Sequence, residues 1–298
     1  MLAVLVVLMA DPSHEALIPL FLRRVRENTV GPYRIYASVN HLSDRQRRLV
    51  GEEPDLKAVH CDIGLVERGR IEHATLLEAL RAQARVDGAG YFVTMHLDSF
   101  PIRRGWDRRL RHALSAGNRF AAIVPQGYSA CLFWDASFEE PMRLPLLVAE
   151  RERSGPPFAA FQAAFPDYDH IETGLNFLYQ AWRRGWRWLP LEPTGHQIYG
   201  DAIFHLVGGV RLTAPGEGRL RQSPALAAIR PLATPAFRRL PRRARDRIRE
   251  WFVDEEATVR DGTRCSKRQE LAALLEDPEA YLAACRSVQV LEETTAAS

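Results

Sequence analysis

The apolar run Tyr91-Phe92-Val93-Thr94-Met95 ends in His96, Leu97, Asp98 and Ser99, and Pro101 then stops the strand. An imidazole and a carboxylate two residues apart on an extended chain project to the same side. Together they are candidate ligands for a divalent cation or for phosphate. Unpaired charge is costly to bury, so a buried strand seldom finishes on such a pair without a use for it. In an open α/β sheet, ligands sit just beyond the carboxyl ends of the strands. The same residues also suit a strand that exits to solvent behind a capping Asp, with a structural, hydrogen-bonded His96.

The elements around this segment alternate. Leu2–Met9 is a buried first strand, and Asp11-Pro12-Ser13 opens a helix whose Leu17, Leu20, Phe21 and Val25 share a face. Tyr33–Val39 and Leu56–His60 read as the second and third strands. Ile71–Val86 is an amphipathic helix, and Asp87-Gly88-Ala89-Gly90 ends it before the fourth strand, Tyr91–Met95. A helix at Trp106–Leu114, a strand at Phe120–Val124 and a hairpin-like piece at Ala130–Trp134 follow. Residues 150–170, rich in Pro, Gly, Phe and Ala, read as a long loop; Glu172–Arg184 reads as helix and Trp186–Leu191 as strand. This order predicts a mostly parallel α/β sheet with helices on both faces.

Composition narrows the class. Of 298 residues, 46% are hydrophobic and 26% charged, as in ordinary globular chains. The net charge of +3 is too small to argue for nucleic acid, and the basic residues do not interleave with aromatics on a strand surface. Charge is unevenly spread: residues 211–250 carry eleven Arg and three acids, Pro-punctuated and helical in pattern. Two domains are expected, 1–212 and an Arg-rich helical extension over 213–298, with a frayed tail from Glu292. Cys61, Cys131, Cys265 and Cys285 form no CxxC pair, which suits a reducing, cytoplasmic setting. Leu2–Met9 lacks a basic leader and falls far short of the roughly 20 residues of a membrane span. The abundance of Arg and Ala suggests a high-GC bacterial source.

The ordered signals over residues 1–210 resemble the GT-A fold nucleotide-sugar glycosyltransferases, inverting and family-two-like. Asn40-His41-Leu42-Ser43-Asp44 is similar to the segment that closes that family's second strand, and His96-Leu97-Asp98 stands where the family has Asp-x-Asp. Glu172-Thr173-Gly174 looks like the acidic start of an acceptor-side helix. His205, in Phe204-His205-Leu206-Val207-Gly208-Gly209, is similar to the late His that completes a metal shell. The resemblance implies a GT-A (Rossmann-like) sheet and a hexosyltransferase-type enzyme. Its donor would be a UDP-sugar, or a sugar on another nucleoside diphosphate. Asn40, Asp44, His96, Asp98 and Ser99 would hold the donor, His96, Asp98 and His205 the metal, and Asp98 and Glu172 would act in catalysis.

The departure from the family is His96 in place of the first Asp. Mg prefers oxygen ligands, whereas Mn accepts imidazole more readily. The substitution therefore favours Mn over Mg, or a metal-free site in which Arg residues neutralise the diphosphate. Each assignment has a plain structural alternative. Glu172 is a general base or a helix-start acid, with Asp167 and Asp169 as competitors. Asn40 and Asp44 are nucleotide contacts or turn formers, and His205 is a ligand or a loop residue. Trp182, Trp186 and Trp188 fit core packing better than sugar stacking, while Trp106 and Trp134 are candidates for an acceptor groove. The run Arg238–Arg249 is a solvated helix face, or a contact with a phosphate-bearing acceptor or an anionic membrane surface.

Acceptors in this reading are a polysaccharide, a lipid-linked sugar or a small molecule. A different nucleotide-dependent transferase should carry a Gly-rich basic loop after the first strand, and Met9-Ala10-Asp11-Pro12-Ser13 has neither Gly nor Lys. A non-catalytic nucleotide- or sugar-binding relative is the remaining alternative. No GxGxxG follows a strand, which argues against a dinucleotide dehydrogenase.

Overall fold

A computed structural model describes residues 1–8, 12–63, 70–139, 144–170, 172–206, 258–260, 263–265 and 267–288. Its centre is a seven-stranded sheet built from β1 (Leu2–Val7), β2 (Tyr33–Ser38), β3 (Leu56–Val59), β4 (Tyr91–Met95), β6 (Phe120–Ile123), β7 (Cys131–Asp135) and β8 (Leu189–Leu191). The spatial order is β3-β2-β1-β4-β7-β6-β8. Only β7 runs against its neighbours β4 and β6; the β1–β2, β1–β4, β2–β3 and β6–β8 pairs are parallel. All six residues of β1 are buried, as a strand covered on both faces requires, which is why it reads as a continuous apolar run.

Helices lie on both faces. The helix α3 (Arg70–Val86) covers one face, where Leu77, Leu80 and Ala84 join Ala3, Leu5, Phe92 and Trp134 in the main core. On the other, α4 (Trp106–Ser115) sets Trp106 edge-on against Phe133, ring centroids 6.1 Å apart. The alternation of β7 accounts for the division: Leu132 and Trp134 join the main core, while Phe133 meets α4. The helix α2 (Asp44–Gly51) starts with a capping box, Ser43 accepting from Gln46 N and the Gln46 side chain accepting from Ser43 N. The helix α1 spans Pro12–Asn28.

A second sheet of β5 (Ser99–Pro101), β9 (Pro193–Gly195), β10 (Ile198–Tyr199) and β11 (Ile203–His205) has the order β5-β11-β10-β9 and is antiparallel. Chain contacts divide the molecule into two units, Met1–Val207 with Leu282–Ser298, and Gly208–Tyr281. The second unit contains the antiparallel pair β12 (Thr258–Arg260) and β13 (Thr263–Cys265), and a helix over Lys267–Glu276. The closing helix Pro278–Ser287 enters the first unit at Leu282.

Several expectations are corrected. Residues 150–170 are not one loop: after α5 (Ala136–Glu139), they hold the helices α6 (Glu150–Arg153) and α7 (Pro156–Ala164). Pro156 and Pro157 open the last of these from the N-terminal turn, where the missing N–H costs nothing. The helix expected from Glu172 is α8 (Leu175–Arg184), because Gly174, with φ 95°, makes the turn into it. Trp106 and Trp134 line no groove; they are 1% and 0% exposed. Trp186 and Trp188 pack on the core as the structural reading expected, but Trp182 is exposed. The β12–β13 pair was not foreseen, and Arg238–Arg249 and the tail from Glu292 lie outside the described residues.

Candidate active site

The chain winds from β1 to β2 and β3 on one side, then returns to β4 on the other. The carboxyl ends of β1 and β4 thus form the crevice where the winding reverses, the usual ligand position in such sheets. β4 ends at Met95, and His96–Asp98 form a tight turn closed by Ser99 N donating to His96 O at 3.0 Å. β5 then pairs with β11 in a register that sets Ser99 opposite His205. A residue 106 positions further on is thereby delivered to the same edge.

Asp98 is fully buried and His205 is 3% exposed. Asp98 Oδ1 lies 4.0 Å from His96 Nδ1 and 4.0 Å from His205 Nε2, and one ligand atom from each of the three side chains falls within 4.8 Å of the others. Four ångströms is too long for a hydrogen bond. Two donors that each lie about 2.0–2.2 Å from one tetrahedral cation stand about 3.3–3.6 Å apart, so these side chains would close by about an ångström around one. The His96 Nε2 pairs with Ser129 Oγ at 2.8 Å, which fixes the ring and turns Nδ1 toward Asp98. Such a partner on the far nitrogen is the usual support of a ligating imidazole. The donor set therefore fits a divalent cation, and two imidazoles with one carboxylate suit Mn or another first-row ion better than Mg.

Backbone shape protects this arrangement. Gly127 has φ +77°, and a Cβ there would stand 2.8 Å from His205 Cε1 and 2.9 Å from Nδ1. The same Gly127 donates its N–H to Glu172 Oε2 at 2.6 Å, so Glu172 is tied to the segment that touches His205. Gly174 allows this by bringing its backbone against Tyr128: a Cβ there would meet Tyr128 Cβ at 3.1 Å. Burial, with the Glu172 and Asp169 carboxylates nearby, pushes the Tyr128 phenol well above its ordinary value. Burial and Glu172 raise Tyr199 likewise. Both phenols thus remain protonated donors at neutral pH beside an acid.

Not every predicted residue joins the cluster. Ser99 is adjacent, but its hydroxyl donates to Ala130 O at 2.7 Å. Asn40 clamps Cys61, donating to its carbonyl at 2.7 Å and accepting from its N–H at 2.9 Å, so it ties the ends of β2 and β3 together. Asp44 is in the first turn of α2, with a side chain 87% exposed and 3.4 Å from Arg47. Asp169 donates its N–H to Pro125 O at 3.2 Å.

Sequence reasoning missed three residues here. His73 of α3 stands edge-on to His96 at 5.2 Å between ring centroids and lies 3.4 Å from Thr173 Oγ1. Nothing distinguishes it in the sequence from any other helix histidine. Ser129 and Gly127 follow Pro125, and that Pro-Gln-Gly turn was a signal that something other than a plain hairpin joins β6 and β7.

The fold is thus a mostly parallel, doubly wound α/β sheet with a His/Asp cluster at its switch point. No protein-family model matches the chain, and no curated protein does. Among solved structures, it is similar to Staphylococcus aureus TarS in complex with UDP-GlcNAc, at 10% identity over 41% of this chain and 33% of that one, TM-score 0.31. A Pyrobaculum calidifontis mannosyltransferase in complex with GDP-Man and Mn2+ is 14% identical over 57% and 54%, TM-score 0.38. A Desulfovibrio desulfuricans protein, provisionally described as a nucleotide-diphospho-sugar transferase, is 11% identical over 85% and 99%, TM-score 0.41. The chain thus spans about a third and about half of the first two.

Proposed function

We propose that the protein is a glycosyltransferase that moves a sugar from a nucleoside diphosphate to an acceptor hydroxyl. The observation that carries this reading is the buried His96–Asp98–His205 cluster at the switch point of the sheet. A divalent cation bound there, with Mn the best match to the donors, would neutralise charge that builds on the departing diphosphate. His96, Asp98 and His205 would hold it, Ser129 fixes His96, and Gly127 leaves room for the His205 ring. The acceptor oxygen bonds to the anomeric carbon while the bond from that carbon to the diphosphate oxygen breaks. Glu172 takes the hydroxyl proton and the nucleoside diphosphate leaves. A base opposite the leaving group gives inversion; an NMR assignment of retained configuration would remove Glu172 from that role. UDP is the first donor nucleotide to test, and a hexose the first sugar. Among the described residues no helix is long and apolar enough to cross a membrane. A cytoplasmic enzyme with a polysaccharide, lipid-linked or small-molecule acceptor goes with this reading.

Calorimetric titration of UDP with Mn, then with EDTA, tests it. We expect binding that needs the cation and weakens at least tenfold in Asp98→Ala. Binding unchanged by EDTA would transfer the charge compensation to arginines. No binding of UDP, GDP, TDP or CMP would sink the transferase reading.

A further inference from the structure

At the opposite end of the β5–β11 ladder from the cluster lies a cavity of about 350 Å³ lined by Arg103, Thr194, Ile198, Asp201 and Arg286. That volume is at the small end of the roughly 300–1,000 Å³ of small-molecule sites. Ile198 is its buried, apolar wall, and the other four side chains are polar.

Thr194, Asp201 and Arg286 each have a hydrogen bond, and none of the polar groups neutralises another. Arg286 Nη2 donates to the Ile102 carbonyl at 2.8 Å, so its guanidinium is anchored on a neutral acceptor. Arg103, next in the chain to that carbonyl, has no ion pair among the described residues. Neither arginine is within ion-pairing distance of Asp201. The Asp201 backbone is held in the left-handed region, φ 57°, with its N–H on Thr194 Oγ1 at 3.0 Å. Arg286 is also imported from far away in sequence: His196 N donates to Cys285 O at 3.0 Å, and Gly195 lacks the Cβ that would strike that carbonyl at 2.8 Å.

We propose that this cavity binds an anionic monosaccharide unit, a sugar that carries a phosphate or a carboxylate. The two guanidiniums take the anion, for which they have charge and a fork of donors. The Asp201 carboxylate accepts from sugar hydroxyls, which an inorganic anion does not offer, and Ile198 meets the apolar face of the ring. His205 pairs with Ser99 at one end of the ladder, and Ile102 N bonds Ala202 O at the other. Three residues of strand separate them, about 10 Å, which is the span that an acceptor held here has to bridge to the cluster. As an acceptor site the cavity rests on the transferase reading; as a binding site it stands alone.

Calorimetry on the full chain with glucose 6-phosphate, glucuronate, glucose and inorganic phosphate tests the proposal. We expect one or both anionic sugars to bind, with glucose and inorganic phosphate at least tenfold weaker. Arg103→Ala, at an exposed side chain, weakens the sugar at least tenfold without lowering the unfolding temperature; Arg286→Gln weakens it too, with a cost in stability because Arg286 also anchors on Ile102. Asp201→Asn weakens the sugar but not inorganic phosphate. Inorganic phosphate binding as tightly as the sugars overturns the proposal, as does binding that ignores Arg103→Ala or failure of both anionic sugars to bind. Arg103→Ala leaves UDP affinity unchanged, and Asp98→Ala leaves glucose 6-phosphate affinity unchanged. Failure of UDP binding therefore counts against the transferase alone.

Discussion

Gly127 shows how much of the candidate site depends on one missing side chain. It is left-handed, it offers its N–H to Glu172, and it lies under the His205 ring. Gly127→Ala adds a methyl where the ring stands and forces a non-glycine residue into the left-handed region, which costs about 1–2 kcal/mol. The expected outcome is a matching fall in stability on chemical unfolding and at least a tenfold loss of cation-dependent UDP affinity. Unchanged UDP affinity would separate His205 from donor binding. From sequence, Asp98 was legible as a candidate site residue because it ends an apolar strand. Its partners were less so: His205 could be tied to it only by the family resemblance, and His73 by nothing at all.

At the scale of elements, strands and long helices follow from pattern, but their joints rest on side chains that pattern does not expose. Asp87 is such a joint. It accepts from Lys57 Nζ of β3 at 2.7 Å and from Tyr36 Oη of β2 at 3.0 Å, just beyond the end of α3. Hydrogen bonds from Lys57, then Tyr36, hold its carboxyl below the ordinary value, and burial with Asp87 pushes the Tyr36 phenol up to about 12. A depressed carboxyl contributes stability that is complete above its unfolded pKa, about 3.9, and is lost as pH falls through the lower folded value. The stability gap between the natural chain and Asp87→Asn should therefore be full at pH 7 and close below about pH 4. A gap that persists unchanged to pH 2 in acid unfolding would show that the carboxylate charge is not its source. The helices of 150–170 were missed at this scale because Pro and Gly there read as breakers. Pro156 and Pro157 instead begin a helix, and its Phe158 and Phe161 are buried in the core.

Across the whole molecule, the first unit is closed by a segment from the end of the chain. The Cys285 carbonyl lies on Gly195 and accepts from His196, while Arg286 reaches Ile102. Gly195→Ala places a Cβ 2.8 Å from a backbone oxygen, a clash that only a shift of one segment relieves. Overpacking of this kind costs typically about 1–3 kcal/mol. A lower unfolding temperature and faster proteolysis near residue 285 are expected, and neither change would mean that the closing helix is not held there.

The sequence by itself determined the layered α/β class, because a buried parallel strand must be apolar throughout and a covering helix must repeat its apolar face every three or four residues. It also marked Asp98, since ionisable groups at the end of such a strand stand out. Tertiary structure alone decided which distant residues join it. Strand pairing sets Ser99 opposite His205 and the turn after Pro125 brings Ser129 to His96, whereas Asn40 is used to clamp Cys61. These outcomes depend on register and close backbone approach, which arise from contacts between segments far apart in the chain and leave no local periodicity to read.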